Sequence, residues 1–190
     1  MSQAIKTDNS NLEGKIRIRE IMIKGMTSVK VLDTFAGKGL IWKEIQKRNP
    51  GIDIKVTGIE IEKSKNPNAL LGDNLKVIPS IDLSPYDFID IDAYGSPYKQ
   101  LRAISQNGSY KDNVIIATTN IQTALGKIPD DLLYEAGITK KMIKNAQVLC
   151  NGFGDESMIS YLGKLGVKDY VAYEPTTRKK YWTFRIKGIE

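Results

Sequence analysis

The chain has 190 residues, of which 28 are Lys or Arg, 22 are Asp or Glu, one is Cys and none is His. This length suits one domain, 1–190, and a lone cysteine cannot form an internal disulfide. The lack of histidine excludes the usual zinc ligand sets and every nucleophile that a histidine activates. The formal charge of +6 favours polyanionic partners such as nucleic acids.

The amino-terminal region does not have the pattern of a signal peptide. Basic residues interrupt the apolar ones throughout 1–30. No stretch of the chain reaches the roughly 20 apolar residues that a membrane span needs. We therefore expect a cytoplasmic protein without a membrane partner.

The predicted elements alternate between helical and extended patterns, which is typical of an α/β fold. The predicted helices are 11–24, within an amino-terminal helical extension 1–28, then 40–48, one that opens at Ser96-Pro97, 130–136, 139–149 and 155–165. The predicted strands are 29–33, 54–61, 68–71, 88–91, 113–118, 168–174 and 180–187. The order predicts a mostly parallel sheet that ends in an antiparallel hairpin.

One predicted connection is unusually short. Only 62–67 separate the second and third predicted strands, whereas a parallel crossover normally needs a dozen or more residues. Either this connection is a bare loop or the third strand is misplaced.

A glycine-rich turn joins the first predicted strand to the next helix. Its pattern is Asp33, Phe35, Gly37 and Gly39. Two such glycines let the backbone approach a ligand, and the helix start presents unpaired N–H groups. The spacing does not match a G-x-x-x-x-G-K-[ST] phosphate loop, and Trp42 stands where a dinucleotide fingerprint needs glycine or alanine. The turn predicts a nucleoside cofactor site, with a plain structural turn as the alternative.

Carboxylates follow the next two predicted strands. Glu60 comes about twenty residues after the glycine turn, where a carboxylate can accept both hydroxyl protons of a ribose, and Glu62 is the alternative. Asp73 and Asn74 follow the third predicted strand, where they either bind a ligand or cap a helix.

The fourth predicted strand leads into the tetrad Asp92-Ala93-Tyr94-Gly95. The carboxyl end of a strand is where open α/β sheets bind ligands. The fifth predicted strand brings Thr119 to the same edge, where it could touch a substrate. The tetrad therefore marks the centre of the predicted site.

These motifs resemble those of class I S-adenosylmethionine-dependent methyltransferases. The turn at 33–39 is similar to their first motif, D-x-F-x-G-x-G, and the tetrad resembles the [DNS]-P-P-[YFW] tetrad of amino-group methyltransferases. The run 92–97, Asp-Ala-Tyr-Gly-Ser-Pro, is closer still to the D-P-[FY]-G-[ST] run of tRNA guanine-N2 dimethyltransferases, although Ala93 replaces the proline. The resemblance implies a Rossmann-like fold with a mostly parallel seven-stranded sheet, an antiparallel carboxyl-terminal hairpin and helices on both faces.

The same resemblance implies S-adenosylmethionine as cofactor, no metal, and methyl transfer to an exocyclic amine of a nucleic-acid base, most closely guanine N2 in tRNA or rRNA. Asp92 and the carbonyl of Ala93 would accept the two amine N–H bonds, which makes the nitrogen more nucleophilic. Tyr94 would stack on an extruded base, with a place in the core as its alternative. The implied cofactor-binding residues are Asp33, Phe35, Ala36, Gly37, Gly39, Glu60, Ile61, Asp73, Asn74 and Asp92, with Leu75 against the adenine. The predicted substrate-binding residues are Tyr94, Gly95, Ser96, Thr119, Arg178, Lys179 and Lys180.

Basic residues concentrate in three places, each either a solvated face or a binding patch. They are Lys15, Arg17, Arg19 and Lys24; Lys140, Lys141 and Lys144; and Arg178, Lys179 and Lys180. The third is the best candidate for nucleic acid, because Tyr181 and Trp182 follow it and could stack on bases. Trp182 could equally be a core residue of the last strand. Cys150 is predicted to be a buried packing residue.

The resemblance covers 31–119 and the terminal hairpin. Because 190 residues leave no room for the large carboxyl-terminal domain with which those enzymes hold tRNA, we expect a minimal relative. Its target recognition would depend on a homo-oligomer or a partner protein. The alternatives are a DNA adenine-N6 or cytosine-N4 methyltransferase, a catalytically impaired cofactor- and nucleic-acid-binding protein and, less favoured, a small-molecule methyltransferase.

Overall fold

A computed structural model describes residues 11–121, 131, 139–145, 155–176 and 179–187. The described helices are α1 (Leu12–Ile23), α2 (Leu40–Arg48), α3 (Asn74–Val77), α4 (Tyr98–Asn107), α5 (Lys140–Asn145) and α6 (Asp155–Lys164), and a 3-10 turn, Ile78–Ser80, follows α3. The strands are β1 (Ser28–Asp33), β2 (Asp53–Glu60), β3 (Leu70–Leu71), β4 (Phe88–Ile91), β5 (Val114–Ile121), β6 (Tyr170–Thr176) and β7 (Lys179–Ile186).

The strands form one seven-stranded sheet in the order β3-β2-β1-β4-β5-β7-β6. Strands β1 to β5 run parallel, whereas β7 is antiparallel to both β5 and β6. The predicted parallel sheet and its terminal hairpin are therefore confirmed. The strand order reverses between β1 and β4, and this opens a crevice at their carboxyl ends.

The short connection between β2 and β3 is a bare loop, the first of the two alternatives. Its residues, 61–69, fold into turns closed by Lys65 N–H donating to Glu62 O and Ala69 N–H donating to Asn66 O. The strand that follows contains only Leu70 and Leu71, so the predicted strand 68–71 begins two residues too early. The turn closed at Ala69 explains this difference.

Helices cover both faces of the sheet. On one face α1 and α2 pack on β1 and β4 through side chains such as Ile16, Trp42, Ile45 and Phe88. The Trp42 and Phe88 rings meet edge to face, with centroids 4.9 Å apart. The other face buries side chains from α4 and α6 against β4, β5 and β7. Full burial of a large apolar side chain contributes about 1.5–3 kcal/mol, so these two layers hold the sheet in place.

Helix α1, in the predicted extension 1–28, is part of this packing. It contacts α2, β6 and β7. Gly14 lets the helix approach the hairpin closely, since a Cβ there would lie 2.5 Å from the Tyr173 ring. The helix is thereby seated close to the hairpin.

Two aromatic residues of the hairpin lie in the core. Tyr181 is 0% exposed and Trp182 is 2% exposed. Of the alternatives for Trp182, the structure shows the core position, and neither ring is placed to stack on a base.

Some predictions fall outside the described residues. Cys150 and the predicted helix 130–136, apart from Asp131, lie there, and the predicted helix 139–149 is described only over α5 and Thr139. None of the helices in the described part of the chain has the length and apolar composition to cross a membrane.

Candidate active site

A cavity of about 480 Å3 lies where β1, β2 and β4 end. Cavities of this size accommodate small ligands and cofactors. The predicted site residues that line it are Phe35, Gly37, Glu60, Ile61, Asp73, Asn74, Leu75, Asp92, Ala93, Tyr94, Thr119 and Lys179. The structure thus brings together residues from six separate segments of the sequence.

The glycine turn forms one wall of the cavity. Gly37 and Gly39 have φ of 48° and 68°, a left-handed region that glycine adopts without steric cost. The turn is held to β2 because Ala36 N–H donates to Ile59 O at 3.1 Å. A Cβ at Gly58 would lie 2.6 Å from the Cβ of Ala36, so glycine in β2 lets the turn approach.

Glu60 ties the end of β2 to the glycine turn. Its Oε2 accepts the Gly37 N–H at 2.9 Å, and its Oε1 accepts the N–H groups of Ile61 and Glu62 at 2.9 and 3.1 Å. A carboxylate has about four acceptor sites, so capacity for a ligand hydroxyl remains. The alternative residue, Glu62, pairs with Lys65 at 2.8 Å and is not part of the cavity wall.

Asp73 caps a helix, and both Asp73 and Asn74 line the cavity. Asp73 accepts the Leu75 N–H at 3.0 Å and so caps α3, yet it also lines the cavity. The Asn74 amide donates to Thr34 O at 3.0 Å and accepts from Gln100 Nε2 at 3.1 Å. Asn74 therefore links the glycine turn to α4.

Asp33 lies beneath the turn and not in the cavity wall. Its carboxylate accepts the Phe35 N–H at 3.1 Å. Burial raises the pKa of Asp33 well above its ordinary value, and the nearby carboxylates of Asp90 and Asp92 raise it further. Asp33 therefore stabilises the turn through its hydrogen bond with the Phe35 N–H.

The tetrad begins at the carboxyl end of β4. The Asp92 side chain is 17% exposed, and its Oδ2 lies 2.7 Å from Lys15 Nζ. Its other oxygen, Oδ1, accepts from the Thr119 hydroxyl at 2.5 Å. Tyr94 is 55% exposed, so the alternative core position for this ring is wrong, whereas Ala93 is buried.

A buried ion pair lies two residues before Asp92, at Asp90 of β4. Arg19 donates from Nε and Nη2 to the two oxygens of Asp90, at 2.7 and 2.5 Å, and Trp42 Nε1 donates to the same carboxylate at 2.7 Å. Burial acts to lower the pKa of Arg19, but the charge and hydrogen bonds of Asp90 raise it above its ordinary value.

Several predicted site residues do not line the cavity. They are Asp33, Ala36, Gly39, Gly95, Ser96 and Lys180. The Gly95 carbonyl accepts the Ile121 N–H at 3.0 Å, which ties the tetrad to β5. Lys180 pairs with Glu174 at 2.9 Å and lies 5.6 Å from the centre of the Trp182 ring. Arg178 lies outside the described residues.

Sequence reasoning missed part of the cavity wall. The residues concerned are Lys15, Thr34, Ile59, Lys65, Gly72, Gln100 and Ile121. For Lys15 a signal existed, because Lys15 and Arg19 are four residues apart on one predicted helix, and Asp90 and Asp92 lie within and directly after an apolar strand. Of the first basic group, Lys15 and Arg19 are buried, whereas Arg17 and Lys24 are exposed.

No protein-family model and no curated protein matches this sequence. Solved structures do match the fold. An S-adenosylmethionine-dependent methyltransferase from Archaeoglobus fulgidus aligns with a TM-score of 0.56 and 13% identity over 91% of this chain and 93% of that chain. Human N-acetylserotonin methyltransferase, solved in complex with S-adenosylmethionine, aligns with a TM-score of 0.56 and 14% identity over 95% of this chain and 52% of that one.

The CurJ carbon methyltransferase aligns with a TM-score of 0.58 and 16% identity over 92% of this chain and 54% of its own. Identities this low establish the fold alone. Together with the strand order, they show that the chain has the Rossmann-like fold of class I methyltransferases.

Proposed function

We propose that this protein transfers a methyl group from S-adenosylmethionine to an exocyclic amino group of a nucleic-acid base, with guanine N2 in RNA as the favoured target. The observation that carries the proposal is the place of Asp92 and Tyr94 at the carboxyl end of β4, in the cavity bordered by the glycine turn. The carboxylate that would accept the amine, the ring that would stack on the base and the turn that would border the cofactor therefore line the same cavity.

The residues of the cavity fit the proposed cofactor. A Cβ at Gly37 would have no neighbouring protein atom nearer than 3.8 Å, so the turn leaves room beside its backbone. Glu60 would accept a ribose hydroxyl group, and Ile61 and Leu75 provide apolar surface for an adenine ring. Asp73 would accept the adenine amino group.

The chain's own groups would then position and activate the amine. When bound, the cofactor supplies a methyl group on a cationic sulfur: the amine lone pair forms the new C–N bond, the C–S electron pair stays on sulfur, and the nitrogen releases a proton. Asp92 and the carbonyl of Ala93 would accept the amine N–H bonds and favour the positive charge that develops on nitrogen. Tyr94 would hold the base by stacking, and Asp92 or water would take the proton.

The surroundings of the cavity support a nucleic-acid substrate. Lys65 and Lys179 line it, and the chain carries a formal charge of +6, which favours phosphate backbones. An exposed tyrosine beside the amine acceptor suits a base that has been extruded or is single-stranded. The fold does not select the substrate, since one protein of this fold is a methyltransferase named for N-acetylserotonin. Target recognition would come from a second copy or a partner protein.

The test is methyl transfer to separated nucleic acids. The protein is incubated with labelled S-adenosylmethionine and pools of tRNA, rRNA or DNA, and the labelled nucleoside is identified after digestion. We expect N2-methylated guanosine from RNA. The Asp92→Ala variant should lose about 10²–10⁴-fold in kcat, because it removes the amine acceptor. Its affinity for S-adenosylhomocysteine, measured by calorimetry, should stay within about threefold of wild type.

The matched control is Asp53→Asn, since Asp53 is an exposed aspartate at the other end of β2. Its activity should equal that of the wild type. Label in DNA adenine or cytosine would support the DNA alternative, and cofactor binding without transfer would support the impaired alternative. No binding of either cofactor form would contradict the proposal as a whole.

A further inference from the structure

Two basic residues of α1 pair with two acidic residues at the carboxyl end of β4. Lys15 and Arg19 are four residues apart, a rise of about 6.0 Å along a helix. Asp90 lies in β4 and Asp92 directly follows the strand, two residues further along, a rise of about 6.6 Å in extended backbone. The matching rises explain how the two ion pairs, which we call the lower pair (Arg19–Asp90) and the upper pair (Lys15–Asp92), form together.

The lower pair fixes the position of Lys15. Arg19 binds both oxygens of Asp90, and its Nη1 donates to the backbone carbonyl of Lys15 at 2.7 Å. Because Arg19 and Asp90 are 1% and 0% exposed, this anchor is shielded from water. The backbone of Lys15 is therefore held in place one helical turn before Arg19.

The upper pair fixes the carboxylate of Asp92. Lys15 Nζ lies 2.7 Å from Oδ2, and the Thr119 hydroxyl donates to Oδ1 at 2.5 Å. The Lys15 side chain is only 8% exposed, yet it lines the cavity. Each oxygen of Asp92 thus has one fixed donor and keeps acceptor capacity for a further N–H.

Each of the two cations of this cluster, Arg19 and Lys15, forms an ion pair with one carboxylate. The charges of Asp90, Asp92 and Asp33 all act on Arg19, and Lys15 pairs with Asp92. Burial, and then the charge of Asp90, raise the pKa of Asp33 well above its ordinary value, so Asp33 carries its charge less readily. Arg19 and Lys15 therefore balance Asp90 and Asp92, and loss of Lys15 would leave the Asp92 charge without its cation.

We propose that Lys15 is a positioning residue for methyl transfer, which holds the Asp92 carboxylate in the orientation that accepts the target amine. This inference rests on the proposed function. Lys15 acts through Asp92, so it contributes to the turnover step and little to cofactor binding. Helix α1 then contributes a functional residue to the site, although it lies far from β4 in the sequence.

Three variants separate charge, hydrogen bonding and packing at this position. Lys15→Arg keeps the charge, Lys15→Gln keeps a donor without charge, and Lys15→Met keeps only apolar bulk. We expect Lys15→Met to lower kcat on the RNA pool labelled by wild type about 100-fold, because a misplaced acceptor misaligns the amine. Lys15→Gln should fall between, and Lys15→Arg should stay within about tenfold of wild type.

Two further measurements distinguish positioning from a general loss of structure. The dissociation constant for S-adenosylhomocysteine should stay within about threefold of wild type in all three variants. The control is Glu13→Gln, which removes an exposed ion pair with Arg48 from the same helix and should leave kcat unchanged. If Lys15→Met does not fold, the ratio of kcat between Lys15→Arg and Lys15→Gln decides.

The possible outcomes distinguish a failure of the role proposed for Lys15 from a failure of the proposed function. Wild-type kcat in Lys15→Gln or Lys15→Met, with methyl transfer intact, would overturn the role of Lys15 and leave the proposed function standing. Equal losses in kcat and in cofactor affinity would also overturn it, because they indicate a structural role. Absence of transfer to every pool by the wild type would instead overturn the proposed function, and this inference with it.

Discussion

The lower and upper ion pairs between α1 and β4 use the same kind of contact in different surroundings. Arg19 and Asp90 are 1% and 0% exposed, and Trp42 supplies a further donor. Lys15 and Asp92 are 8% and 17% exposed and lie in the cavity wall. The comparison shows that one helix can place a structural pair and a functional pair with a single four-residue spacing.

The difference also explains what each pair contributes. Desolvation can cost as much as a buried ion pair gains, so the lower pair need not add net stability. Its bidentate geometry does set where α1 lies along β4. The upper pair is partly hydrated and close to a ligand space, so its value lies in the orientation of one carboxylate.

The largest expected effect comes from breaking the lower pair on one side. Arg19→Met leaves Asp90 charged and buried, so we expect the free energy of unfolding to fall by about 3–5 kcal/mol. Denaturant unfolding followed by circular dichroism measures this change. The double variant Arg19→Met with Asp90→Asn removes the stranded charge and should recover part of the loss, because the amide can still accept from Trp42. A double variant as unstable as the single one would show that charge is not the cause.

An intermediate effect is expected from the third carboxylate of the cluster. Because its pKa is raised in the folded state, Asp33 binds a proton there at pH values where the unfolded chain has released it. The contribution of Asp33 to the free energy of unfolding therefore declines as the pH rises from 3.8, the ordinary pKa of this carboxyl group, through the raised pKa of the folded state. Asp33→Asn keeps an acceptor for the Phe35 N–H and removes the titrating carboxyl group.

The measurement is the melting temperature of both proteins between pH 4 and pH 8. The melting temperature of Asp33→Asn relative to wild type should increase with pH. Titrating groups away from the Asp33, Asp90 and Asp92 cluster are the same in both proteins, so their contributions cancel in the difference. A difference that stays constant with pH would contradict the assignment.

The smallest effect is expected on the exposed side of α1. Glu13 is exposed, and its Oε1 lies 2.7 Å from Arg48 Nη1. Surface ion pairs of this kind contribute little to stability because water and salt screen them. Glu13→Gln should leave the denaturation midpoint unchanged within error. A loss comparable to that of Arg19→Met would show that the position on α1, and not burial, governs the effect.

Local patterns predicted most of the fold. The β-branched runs that became β1, β2, β4 and β5 are separated by helical periods and by stop signals such as 49–51, and these signals act within a few residues. The carboxyl ends of parallel strands meet at one edge, so Glu60, Asp92 and Thr119 could be placed together before any coordinates. These predictions depend on spacing alone.

What could not be predicted depends on contacts between distant segments. Lys15 and Asp92 are separated by 77 positions, and only the packing of α1 on β4 brings them together. The choice between Glu60 and Glu62 depended on where β2 ends, and the roles of Tyr94 and Trp182 depended on burial. Nothing in the periodicity of a short segment reveals these three outcomes.

The brevity of β3 has a consequence for how the protein meets other chains. An edge strand presents unpaired backbone groups that can recruit a foreign strand. With only Leu70 and Leu71 in ladder geometry, this border of the sheet is too short to template such pairing. The opposite border of the described sheet, β6, is seven residues long and so offers a longer edge for a further strand to pair with.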